Sequence, residues 1–179
     1  MIQINLQHAD QLERLFERTP REARIVISRA INRAATAARA RASQEIRKTY
    51  IIRASEIKDA IKIDKSTPGT LSAEIRASGP TLPLMKFDVT PKKPNDAIVR
   101  ARVKKGGSRK PIQQGFIVSA YNNVYARTGD SRYPIQGLYG PSVAQMMGEP
   151  AVLRSVVDRA HETLDNRLEH EMNRLLYGG

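Results

Sequence analysis

The sequence predicts an α+β fold, with a long N-terminal helix and a long C-terminal helix packed on a mostly antiparallel sheet of about four strands. Three observations predict it. Apolar residues recur at spacings of three and four before residue 50 and again after residue 149. Between residues 71 and 125 they alternate instead. Gly and Pro separate the two regimes.

The first helix is expected over 20–49. Thr19 can cap it, Pro20 suits its first position, and Glu22 closes a capping box. Ala23, Ile27, Ala30 or Ile31, Ala34, Ala38, Ala42 and Ile46 form one apolar stripe. Residues 21–48 carry eight basic side chains and two acids. At 1.5 Å per residue the rod is roughly 45 Å long. A short helix follows, capped by Ser55 and apolar at Ile57, Ala60 and Ile61, until Thr67-Pro68-Gly69 breaks it.

Strands are expected at Leu71–Ala77, at Leu84–Val89, at Ala97–Val103, and around Phe116–Val118 and Val124–Tyr125. The Ala97–Val103 strand has an apolar face and a mostly cationic one. The long helix is expected to cover one face of this sheet. The last helix should run over 150–177 with a stripe of Leu153, Val156 or Val157, Ala160, Leu164, Leu168, Met172 and Leu175, ended by Gly178-Gly179. Over 149–177 it holds six acids and four arginines, so the two long helices differ in charge bias. A single domain over 1–179 accommodates all of this, with residues 1–18 as an N-terminal arm, 71–125 as the sheet and 126–148 as an ordered loop.

Composition narrows the function. Aromatics are 5% and Trp is absent, so the core must rest on Ile, Leu, Val and Ala. There is no cysteine, which excludes disulfides and thiolate metal sites. No apolar run approaches the roughly 20 residues that span a membrane. The first residues, MIQINLQHADQLERLF, lack the basic and apolar regions of a signal peptide, so a cytoplasmic protein is expected. The formal charge of +12 favours anionic partners, nucleic acid first; the alternatives are a solvated basic surface or one that faces an acidic protein neighbour.

The sequence offers no catalytic or cofactor-binding constellation. His8, His161 and His170 are the only histidines. The last two lie nine residues apart, on opposite faces of one helix, so they cannot jointly hold a metal without a partner from elsewhere. Neither has a second His four residues on, as a zinc-protease helix requires. Gly106-Gly107-Ser108-Arg109-Lys110 is a basic turn without the spacing that cradles nucleotide phosphates, and no Gly-x-Ser-x-Gly elbow occurs. We therefore expect a protein that is not an enzyme and holds no cofactor or metal. Lys104, Lys105, Arg109 and Lys110 of the turn are the candidate anion or DNA contacts.

Residues 126–148 have no clear period, yet they hold Tyr133, Ile135, Leu138, Tyr139, Val143, Met146 and Met147. A long loop with that much apolar material either closes its own sheet or meets another protein. Arg127, Arg132, Tyr133, Pro134, Ile135, Leu138, Tyr139, Gly140, Pro141 and Met146 are the candidate subunit interface.

This stretch also carries a family resemblance. Tyr125-Ala126-Arg127-Thr128-Gly129, then Arg132-Tyr133-Pro134-Ile135, then Leu138-Tyr139-Gly140-Pro141-Ser142-Val143 resembles the prophage minor tail protein Z family. Tyr133 stands where that family's pattern has Leu. The order of the remaining segments is similar too: the Ala- and Arg-rich helix, a short helix near Ile57–Ile63, a strand near Leu71–Ser78, Pro-Leu-x-x-Phe at Pro83–Phe87, and a long final helix. The resemblance spans the chain from about Arg21 onward. It implies a structural role in completing a phage tail near its head-proximal end, with no catalytic residues to carry over. The implied partners are copies of the chain in a ring-like oligomer and other tail or head–tail connector proteins. The implied location is the virion tail, after assembly in the host cytoplasm. The alternative reading is a non-specific nucleic-acid-binding protein using the basic helix and the cationic strand face.

Overall fold

The computed structural model describes Glu17 and residues 20–177, with side chains as far as Arg174. Helix α1 spans Pro20–Thr49 and helix α2 Ala54–Ala60. Strands β1 (Ile61–Asp64), β2 (Glu74–Ala77), β3 (Leu82–Pro83), β4 (Asp88–Thr90), β5 (Arg100–Arg102), β6 (Lys110–Pro111), β7 (Gly115–Val118), β8 (Asn123–Arg127), β9 (Ile135–Gly137) and β10 (Tyr139–Gly140) follow. Helices α3 (Val143–Met147) and α4 (Pro150–Tyr177) close the chain. The fold class is α+β, as the sequence predicts. The strands, however, are short and divided among four small sheets: β1-β2, β10-β3, β4-β5-β6 and β7-β8-β9. The Thr19 cap, the residue 1–18 arm, His8, the Leu175 side chain and the Gly178-Gly179 end lie outside the described residues, Glu17 excepted.

The chain forms two compact units. Among the described residues, the first comprises 20–42, 61–76 and 150–177. Its interior is built where small residues of α1 meet large residues of α4. Ala23, Ala30 and Ala34 pack with Leu164, Leu168 and Met172, flanked by Ile27 and Ile31. Alanine lets the helix axes approach, and the longer side chains of α4 fill the seam. Arg41 Nε donates to Ser155 Oγ at 2.8 Å in the same unit. On α4 the stripe begins at Val152, which is buried, while Leu153 is 43% exposed. The sequence expectation was one residue out of phase there, because Val152, Val156 and Leu153 all satisfy a helical spacing.

The second unit comprises residues 43–60 and 77–149. Its buried residues include Ile46, Tyr50, Ile57, Leu84, Phe87, Val89, Val99, Ile117, Val124, Val143 and Met146. Helix α2 begins at Ala54, one residue before the Ser55 cap that the sequence suggests, and it lies against α3. Chain leaving α1 pairs with the segment after β5 through the Tyr50–Lys104 bridge, Ile51 N–H to Val103 O at 2.9 Å and Lys105 N–H to Thr49 O at 2.7 Å. A 3-10 turn over Leu84–Lys86 joins β3 to β4. The expected Leu84–Val89 strand is thus confined to its second half.

Candidate functional site

Residues 126–148 hold the end of β8, strands β9 and β10 and helix α3, with residues 128–134 as the turn between β8 and β9. Strand β8 pairs antiparallel with β7 on one side and β9 on the other, placing Phe116, Tyr125 and Gly137 in one row. Cross-strand partners share a face, so Phe116 and Tyr125 point away from Ile117 and Val124. Ile117 and Val124 are the buried pair; Phe116 and Tyr125 are half-buried. The outward face of this sheet is therefore aromatic.

Gly137 makes that face continuous. A Cβ there would come within 3.3 Å of the Tyr125 ring and 3.2 Å of the Tyr139 ring, so both rings lie over the glycine. Tyr121 adds to the row, with its ring centroid 5.8 Å from that of Tyr125, and Phe116 lies 6.5 Å from Tyr125. Asn122 takes the left-handed conformation that turns the chain between β7 and β8, a geometry asparagine adopts more readily than most residues. The Arg127 guanidinium sits over the Phe116 ring at 5.3 Å, and Arg132 over Tyr133 at 5.9 Å. Tyr121, Tyr133 and Tyr139 are 68%, 66% and 55% exposed.

The backbone beneath this face is pinned. Leu138 N–H donates to Val124 O at 2.8 Å, while Leu138 O accepts from Leu84 N–H and from Asn123 Nδ2, each at 3.0 Å. Thr128 donates to Pro134 O through both its N–H (3.3 Å) and its Oγ1 (3.2 Å), closing the segment that carries Arg132 and Tyr133. Strand β10 pairs with β3, Tyr139 opposite Pro83 and Gly140 opposite Leu82. Ser142 and Gln145 then form a capping box that starts α3.

The candidate interface residues thus divide. Arg127 and Tyr139 are exposed at the aromatic face, and Arg132, Tyr133 and Pro134 are exposed in the turn between β8 and β9. Ile135, Leu138 and Pro141 are half-buried. Gly140 and Met146 are corrections to the sequence expectation. Gly140 is buried against Phe87, and Met146 is fully enclosed because α3 turns it inward beside Val143. Conversely, Phe116, Tyr121 and Tyr125 belong to the face although the sequence reading placed only its loop there. The opposite parity of Phe116/Tyr125 and Ile117/Val124 is the signal that marks them.

The basic turn is held by acids. Asp88 stands opposite Arg102 across β4 and β5. Arg109 clasps both oxygens of Asp88 (2.9 and 3.0 Å), and Arg102 donates twice to Oδ2 (2.9 and 3.1 Å). These hydrogen bonds, Arg109's foremost, hold the Asp88 carboxyl below its ordinary range against the opposing effect of burial. Lys104 pairs with Glu149 at 3.0 Å and lies over the Tyr50 ring. The Tyr50 hydroxyl also donates to Glu149. Glu149 is lowered by the Tyr50 bond and by Lys104, and Tyr50 is raised by burial and by the carboxylate beside it. Of the four candidate anion contacts, Lys104 and Arg109 therefore carry acid partners. Lys105 and Lys110 are exposed and form no ion pair among the described residues.

No group of metal-ligating side chains comes together among the described residues, and no described helix is long and apolar enough to cross a membrane. The model of the family described as prophage minor tail protein Z (GPZ) matches residues 8–177 of the chain. No curated protein and no solved structure matches it.

Proposed function

Because the chain belongs to the prophage minor tail protein Z family, and so to the minor tail proteins of phages, we propose that it completes the tail by binding copies of itself and neighbouring tail or head–tail connector proteins through its tyrosine face. Tyr121, Tyr133 and Tyr139, each more than half exposed, carry this reading. Tyrosine supplies large contact area at low entropic cost, and a pinned backbone has little ordering left to do on binding. Arg127 and Arg132, stacked beside the rings, add the other side chain enriched at interfaces. A head-to-tail contact of this kind closes into a ring when its rotation permits, which suits a subunit that encircles a tail axis. The role is structural. The protein is assembled in the host cytoplasm and retained in the virion tail.

The test replaces Tyr121, Tyr133 and Tyr139 together with Ser. Far-UV circular dichroism and melting temperature should stay near those of the parent. Sedimentation velocity should show the oligomer lost, and the variant should fail to complete tails in an infected-cell complementation assay. A variant that assembles and complements like the parent refutes the proposal.

A further inference from the structure

A cleft of about 420 Å³ opens in the first unit between α1, the turn after β1 and α4. Arg29 and Arg33 line it from α1, Arg167 from α4 and Lys65 from the turn. All four are exposed and form no ion pair among the described residues. The acid on the wall, Glu171, is engaged by Arg174 at 3.0 Å. Arg76, Lys86, Arg102, Lys104 and Arg109, by contrast, each pair with an acid. Four unmatched cations converging on one concavity repel one another, and an anion lodged between them relieves that repulsion.

The geometry is prepared. Arg29 and Arg33 lie one helical turn apart on one face, about 6 Å along the axis. The backbone beside Lys65 is hooked to the same helix: Asn32 Nδ2 donates to Ser66 O at 2.9 Å, Ser66 N–H donates to Asn32 Oδ1 at 2.8 Å, and Ser28 Oγ donates to Ser66 O at 3.0 Å. Lys65 is thereby placed at the rim.

We infer that this cleft binds the phosphodiester backbone of nucleic acid without preference for base sequence. Guanidinium groups match phosphate oxygens in pairs, and three of the four cations are arginines. The cleft has no aromatic residue on which a base could stack, and its apolar lining is Ala30 alone. A protein partner would require an apolar centre, which this wall lacks, whereas nucleic-acid interfaces are polar and cationic. The inference is independent of the tyrosine face, which belongs to the other unit.

The experiment titrates the full chain into a fluorescein-labelled mixed-sequence duplex of about 20 base pairs, read by anisotropy from 50 to 200 mM salt. Wild type is compared with R29Q/R33Q/R167Q and with K105Q/K110Q in the basic turn. The slope of log affinity against log salt should fall by about 2.7 in the cleft variant, three phosphate contacts at about 0.9 each. The affinity should drop at least 10-fold, and the turn variant should keep the wild-type slope. In a second measurement on wild type alone, the duplex should protect Lys65 from acetylation, which keeps the test valid if the triple variant misfolds. A wild type that does not bind, an unchanged slope in the cleft variant, a larger loss in the turn variant, or an unprotected Lys65 each overturns the inference. So does displacement of the duplex by inorganic phosphate at matched ionic strength, which marks a small-anion site. Polyglutamate of equal charge binding as tightly would overturn it in favour of an acidic protein.

Discussion

Gly140 lies against the Phe87 ring so closely that a Cβ built on it would come within 2.8 Å of the ring's Cζ. Phe87 is 3% exposed and cannot swing away into solvent. Gly140→Ala should therefore force the β10–β3 pair apart or displace the ring, at a cost of about 1–3 kcal/mol. Urea unfolding should show the midpoint lowered with the slope unchanged. An unshifted midpoint would mean that the contact relaxes freely.

Met146 and Tyr139 should behave oppositely although only seven residues separate them. Met146→Ala empties a fully buried site and should cost about 2–5 kcal/mol. Tyr139→Ser alters an exposed side chain and should change stability by no more than about 0.5 kcal/mol, while weakening self-association. Chemical denaturation paired with sedimentation separates the two effects. Equal losses of stability would contradict the placement of these residues.

Asp88 makes stability depend on pH with a definite sign. Arg109 and Arg102 hold its folded carboxyl below the ordinary value of about 4. A folded pKa lower than the unfolded one contributes stability that is fully present above the unfolded value and lost as pH falls through the folded one. The stability gap between the parent and Asp88→Asn should be constant near neutral pH and shrink below about pH 4. Unfolding curves at pH 7, 5 and 3 test this, and a gap that widens toward acid would contradict it.

The two long helices were legible because their signals are local. Pro20 and Pro150 suit first helical positions, and the alanine stripe of α1 repeats over many turns. The sheets were less legible. Strands of two to five residues offer too little alternation to fix parity, and β3 finds its partner in β10, far along the chain. This is why one sheet of about four strands was expected where four small sheets occur. The inward turn of Met146 had a readable cause in the Ser142…Gln145 capping box, which places Val143 and Met146 three residues apart on one helical face. The cationic cleft had none. Arg29 and Arg33 show the spacing of neighbours on a helix, but only the packing of α1 with α4 brings Arg167 to them.

The Asn32 side chain meets the backbone of Ser66 with one donor and one acceptor, the same two-bond exchange that an adjoining strand would provide. Just beyond β1, an amide occupies the place where a foreign chain could otherwise dock edge to edge. The Ser66 backbone groups are thus already engaged and closed to pairing with a strand of another chain.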